Sequence, residues 1–147
     1  MPPRIDFYVL ESADDKARLI YACRLIEKAF QQQQTVCVTL DSPAAAEAFD
    51  ALLWTYDEQS FVPHVLASSD TTRAGPPPQT PVHIGCAMPV AADLLVNLGH
   101  DVPTFYDRYA RVVDFVDAEP ARRDAGRRRF AKYRDGGHTP DTHKVSA

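Results

Sequence analysis

With 147 residues, 45% hydrophobic and 24% charged, the chain is long enough to bury one core and short for two domains. The opening MPPRIDFYVL holds an apolar run too short for a membrane span and lacks the apolar stretch and cleavage site of a signal peptide, so a cytoplasmic protein with no membrane partner is expected. The formal charge of −4 is unevenly placed: residues 119–135 carry seven basic and three acidic side chains, a local +4, which leaves −8 on residues 1–118.

In chain order, Arg4 to Leu10 (RIDFYVL) reads as a buried strand, followed by a polar turn, Glu11 to Asp14, suited to capping a helix. Apolar residues from Ala17 to Phe30 recur at helical spacing until the polar run Gln31 to Gln34. Thr35 to Leu40 is a second strand. Asp41 or Ser42 can cap a second helix, with Pro43 in its first turn, running to about Trp54. Asp70 to Pro81, with Gly75 and three consecutive prolines, is expected to be an exposed loop. Val82 to Gly85 and Leu94 to Asn97 read as short strands, Pro103 to Tyr109 as a brief helix and Val112 to Val116 as a fifth strand. Glu119 to about Arg134 makes the last helix, closed by Gly136 and Gly137. Alternating strands and helices predict a single doubly wound α/β domain over residues 1–136, a mostly parallel sheet with helices on both faces. Residues 137–147 are polar and proline-containing, and a frayed, flexible tail is expected there.

Signs of chemistry are few. The first strand-to-helix turn, ESADD, has no glycine for close backbone approach and puts three carboxylates where a phosphate would have to sit. No Walker-type, nucleophile-elbow or H-E-x-x-H pattern occurs, so neither a catalytic residue nor a cofactor is assigned. Cys23, Cys37 and Cys86 have no C-x-x-C spacing, and His64, His83 and His100 lie in separate segments, so no metal site is assigned either. Asp14 and Asp15 could form an acid–base pair, but at a helix start they more simply favour the positive end of its dipole.

Two features point elsewhere. Trp54 and the connection Ser60-Phe61-Val62-Pro63-His64 place aromatic rings beside a polar turn, either as core or as an exposed interaction patch. On the last helix, Arg123, Arg127, Phe130 and Arg134 fall within an arc of roughly 60° at about 100° per residue. Guanidinium groups take carboxylates bidentately, and a neighbouring ring can line a pocket for an apolar side chain. Gly126 costs this helix about 1 kcal/mol relative to alanine, so packing against the sheet must help hold it.

At these residues the chain resembles the chi subunit family of bacterial DNA polymerase III. The resemblance runs over nearly the whole sequence and rests on DFYVL, on ALLW with EQSFVPH, and on VVDFV followed by the arginine-rich helix ending in KYR. It implies a Rossmann-like fold without catalytic activity, acting in the clamp-loader assembly. Members of the family bind the acidic C-terminal tail of single-stranded-DNA-binding protein, which ends in a phenylalanine with a free carboxylate. Carried over by position, Val116, Arg123, Arg127 and Phe130 match the tail pocket, with Arg127 the carboxylate clamp. Where the family can have lysine after the aromatic residue, this chain has Ala131, and Lys132 or Arg134 is left to compensate. Trp54 and Phe61, with Val62, Pro63 and His64, match the surface by which members bind the psi subunit or, alternatively, a DNA helicase.

The rival reading is a direct nucleic-acid-binding module that uses the basic last helix on phosphates. A body of −8 opposes it, because a long polyanion must pass that body while a short acidic tail meets the basic face alone.

Overall fold

The structure, a computed structural model, describes residues 3–57, 64–66, 82–84 and 92–145. Strands β1 (Arg4–Leu10), β2 (Val36–Thr39), β3 (His64–Leu66), β4 (Val82–Ile84), β5 (Leu94–Asn97), β6 (Arg111–Val116) and β7 (Asp141–Val145) form one sheet in the order β3-β4-β2-β5-β6-β1-β7. Every pairing in it is parallel. Helices α1 (Asp15–Gln31) and α2 (Pro43–Thr55) cover one face and α3 (Pro120–Asp135) the other, the α/β architecture expected from the alternation of elements. No helix among the described residues is long and apolar enough to cross a membrane, and no group of three or more potential metal ligands occurs among them.

Local chemistry sets the helix starts. Asp14 accepts from the Lys16 N–H at 3.0 Å and Ser42 from the Ala45 N–H at 3.1 Å, with Pro43 at the head of α2, where its missing N–H costs nothing. Asp15 pairs with Arg18 at 2.9 Å. The two aspartates at this turn are therefore cap and ion pair.

Side-chain alternation divides the core. Leu10, Val36, Val38, Leu94, Val96, Val113 and Phe115 face α1 and α2, where Ile26, Phe49 and Leu53 are buried. Ile5, Phe7, Cys37, Leu95, Val112 and Val116 face α3 and its Tyr133. Cys23 and Cys37 are fully buried, and burial pushes the Cys23 thiol up to about 12, as befits a small core residue.

The structure corrects three expectations. The brief helix at Pro103 to Tyr109 is only a 3-10 turn, Tyr106–Arg108. His64–Leu66, which starts at the last residue of the aromatic connection, is a strand against β4. Part of the expected frayed tail is also a strand, because Asp141–Val145 pairs in parallel with β1 along the sheet edge. What seats β7 is a carboxylate far away in sequence. His143 Nε2 lies 2.9 Å from the buried Asp6, its ring stacked on Tyr8 at 5.0 Å, and Arg111 Nε reaches the same carboxylate at 2.8 Å. The expected loop at Asp70 to Pro81 and Cys86 lie outside the described residues.

Burial alone would raise the Asp6 carboxyl, but hydrogen bonds from His143 and Arg111 and the charges of Arg111 and Arg4 outweigh it, and the net shift is downward from 3.8. A carboxyl lowered in the folded state adds stability above its unfolded value and loses it as pH falls through the folded one. Unfolding free energy is therefore expected to drop as pH falls below about 4, with β7 amides losing exchange protection early. Asp6→Asn should flatten that acid dependence, measured by denaturant titration across the pH range.

Candidate functional site

The carboxyl end of β6 leads through Asp117 and Ala118 into α3. Glu119 caps the helix, its carboxylate accepting the Arg122 N–H at 2.7 Å, and Pro120 follows it. Backbone N–H groups of Arg122 and Ala121 hold that carboxyl below its ordinary range. The turn is pinned to the start of α1. Arg122 reaches Asp117 at 2.9 Å, Asp15 at 3.7 Å and the Ala13 carbonyl at 2.9 Å, and the Ala118 N–H donates to Ser12 O at 2.9 Å.

One turn further on, Gly126 explains how α3 lies so close to the sheet. A Cβ at this position would sit 2.5 Å from Cγ2 of the buried Val116, so only glycine permits the approach. Gly126→Ala is expected to destabilise by about 1–2 kcal/mol, overpacking of a stiff β-branched neighbour outweighing the helix propensity gained. Thermal melts check this. Val116→Ala in the same chain should remove most of the penalty, which a double-mutant cycle reads directly.

The inward stripe continues through Arg129 and Tyr133. Arg129 is buried against the fully buried Asp114 of β6, with Nε at 3.0 Å and 3.1 Å from the two carboxylate oxygens. Its remaining donors reach His100 O at 3.0 Å and Phe115 O at 3.2 Å. Asn97 Nδ2 donates to the same carboxylate at 3.2 Å, the Phe115 N–H at 2.8 Å and the Tyr133 hydroxyl at 3.4 Å. Burial pushes the Asp114 carboxyl upward, and the Arg129 charge and hydrogen bonds oppose it. This network had no place among the sequence-derived site residues. Its signal was an aspartate inside the buried run VVDFV, a charge that needs a partner wherever the strand is core.

The opposite outcome holds for the expected site. Arg123, Arg127 and Arg134 are exposed, and no ion pair to any of them is found among the described residues. Phe130 lies half-buried beside them, edge-on to Phe7 with ring centroids 5.2 Å apart, in the same apolar cluster as Val116. Val116 and Phe130 thus share one apolar cluster, and the three exposed arginines of the predicted arc stand on the Phe130 side of α3. Lys132 is exposed too but leaves the helix about 140° away from Arg127, so Arg134 alone shares the face on which Ala131 withholds a cation. Arg128 faces away and pairs with Asp124 at 2.7 Å.

The crevice at the carboxyl ends of the strands, where doubly wound sheets take their ligands, is reduced to about 70 Å³ and is lined by Arg18, Arg122 and Arg129 among others. On the far side of the molecule Trp54, in the last turn of α2, is 43% exposed. Phe61, Val62 and Pro63 lie outside the described residues, and of His64 only the backbone is described.

The family described as DNA polymerase III chi subunit, HolC, matches residues 1–141. The chain belongs to that family. A DNA polymerase III subunit chi of Pseudomonas aeruginosa is 38% identical over 144 residues, covering 97% of this chain and 96% of the relative. The protein of the same name in Haemophilus influenzae is 28% identical and covers 99% of each chain. That of Escherichia coli is 28% identical over 82% of this chain and 80% of its own. The family is an accessory subunit of the replicative polymerase, so the chain is a DNA replication protein.

Proposed function

We propose that the chain is a non-catalytic adaptor that binds the acidic C-terminal tail of single-stranded-DNA-binding protein and links it to the clamp-loader part of the polymerase assembly in the cytoplasm. The observation that carries this reading is the division of labour on α3. Arg122 and Arg129 are taken up by buried carboxylates, while Arg123, Arg127 and Arg134 stay exposed around a half-buried phenylalanine. Arg127 clamps the terminal carboxylate, Arg123 and Arg134 meet acidic side chains of the tail, and its terminal ring rests against Val116 and Phe130. Lys132 makes at most a long-range contribution from the side of the helix.

Direct nucleic-acid binding is disfavoured on the same observation. With three of the seven basic side chains engaged by carboxylates, the helix offers phosphates a much smaller field than its composition suggests. The crevice at the carboxyl ends of the strands, about 70 Å³, is too small for a nucleotide, and no cofactor is assigned to it. Titration calorimetry with a tail peptide and with a bare oligonucleotide separates the two readings. The peptide is expected to bind, more weakly as salt rises, and the oligonucleotide to give no saturable signal; the reverse would overturn the adaptor assignment.

Trp54, with Phe61 to His64, forms in this reading a second surface for the psi subunit or a helicase. Trp54 is 43% exposed and so has less packing to lose than a core aromatic. Trp54→Ala is thus expected to cost clearly less stability than the loss of about 3–5 kcal/mol for a core aromatic. It should leave tail binding intact and abolish capture of the second partner, read by melts and pull-down with purified psi subunit.

A further inference from the structure

On the face of the sheet opposite α3, the second half of α1, Tyr8 of β1 and Arg111 at the start of β6 enclose a half-open cavity of about 290 Å³. Residues 1–118 carry a net charge of −8, yet the fold collects cations here. Arg24 and Lys28, one helical turn apart on α1, line the cavity with Arg111 of β6. No ion pair to Arg24 or Lys28 is found among the described residues, and two like charges four residues apart weaken a helix unless something else favours them. No carboxylate lines the cavity. Asp6, behind Arg111, is already shared by Arg111, Arg4 and His143.

The neutral lining has the same polarity. Arg111 Nη2 donates to the Tyr8 hydroxyl at 2.8 Å, which leaves the Tyr8 proton free to donate outward. Tyr21 also lines the cavity, and burial, then Tyr8, raises the pKa of its hydroxyl. Gln34 adds an amide. Tyr8 stacks on His143 at 5.0 Å and on Phe115 at 5.8 Å, so neither of its own faces remains for a nucleobase. Donors without carboxylates, in a volume at the small end of ligand sites, fit an oxyanion that is compact and multiply charged.

We propose that this cavity binds a diphosphate group, either free pyrophosphate or the diphosphate of a nucleoside diphosphate whose base stays outside. Arg24 and Lys28 supply the mobile charges, Arg111 the fixed guanidinium, and the two tyrosines the hydrogen bonds that orient the oxygens. The site is independent of the tail-binding face and lies on the other side of the sheet.

The test is titration of the full chain with inorganic pyrophosphate and with ADP, at constant chloride, by calorimetry and amide chemical shifts. Saturable one-to-one binding is expected, with shifts at Arg24, Lys28 and Arg111. Arg24→Gln with Lys28→Gln, both at exposed positions, should melt as the wild type and bind at least tenfold more weakly, whereas Arg127→Ala should bind normally. Pyrophosphate binding at least as tight as ADP assigns the site to the free diphosphate, and tighter ADP binding assigns it to the nucleotide. No saturable binding of either, undiminished binding by the double variant, or shifts confined to α3 would overturn the proposal. Because the chemical shifts are read on the wild-type chain, the outcome stands even if the double variant folds poorly.

Discussion

Arg129→Ala is expected to destabilise the protein by about 3–5 kcal/mol, because it leaves the Asp114 carboxylate buried with its charge partner gone. In a chain of this length that corresponds to a fall in Tm of about 10–15 °C. Asn97, Tyr133 and the Phe115 N–H would remain around Asp114, but none of them carries a charge. Arg129→Met should be nearly as damaging, since it restores volume and not charge. Replacing Asp114 and Arg129 together by apolar residues should recover much of the loss, as is usual when both members of a buried pair are removed. Circular-dichroism melts of the three variants decide the matter. Wild-type stability in Arg129→Ala would show that the pair is not the internal tie between α3 and β6 described above.

Two residues earlier on the same helix the outcome is expected to invert. Arg127→Ala should melt as the wild type, because its side chain is exposed and no ion pair to it is found among the described residues. Its cost should appear in tail binding alone, about 1.5–3 kcal/mol for loss of a charge-assisted, bidentate contact to the terminal carboxylate, or about 10- to 150-fold in affinity. The contrast between Arg127 and Arg129 is informative because composition cannot make it. Both belong to one run of three arginines, and only the phase of α3 against the sheet separates the guanidinium that holds the fold from the one that meets a ligand.

That phase was half legible in the sequence. The arc through Arg123, Arg127, Phe130 and Arg134 follows from helical periodicity, and those residues do lie on one outer face. What Arg129 does could not be read locally, since its partner Asp114 is on another element and becomes buried only when β6 lies between β5 and β1. The same reason hides the Asp6 cluster, whose members Arg4, Arg111 and His143 come from both ends of the chain. Strand β7 escaped because an edge strand needs no apolar face: DTHKV is largely exposed and is selected by pairing with β1 and by the His143–Asp6 contact. Elements with strong local signals were fully readable. Arg4–Leu10 and Leu94–Asn97 are strands with the expected ends, and the Ser42-Pro43 start of α2 follows from capping chemistry alone.

The cationic cavity by α1 illustrates the same limit from the other direction. Residues 1–118 sum to −8, and from that sum a basic site is the last thing expected there. Charge is averaged along a sequence and not along a surface, so Arg24, Lys28 and Arg111 become one feature only through the parallel pairing of β1 with β6.

The adaptor account is tested most directly by calorimetric titration of an acidic peptide that ends in phenylalanine, once with a free carboxylate and once amidated, into the wild type and Arg127→Ala. The account predicts that amidation weakens wild-type binding by about as much as Arg127→Ala weakens binding of the free acid, and that the two losses do not add, since both remove the same contact. Undiminished binding of the amidated peptide, or full additivity of the two changes, would contradict the assignment of Arg127 as the carboxylate clamp.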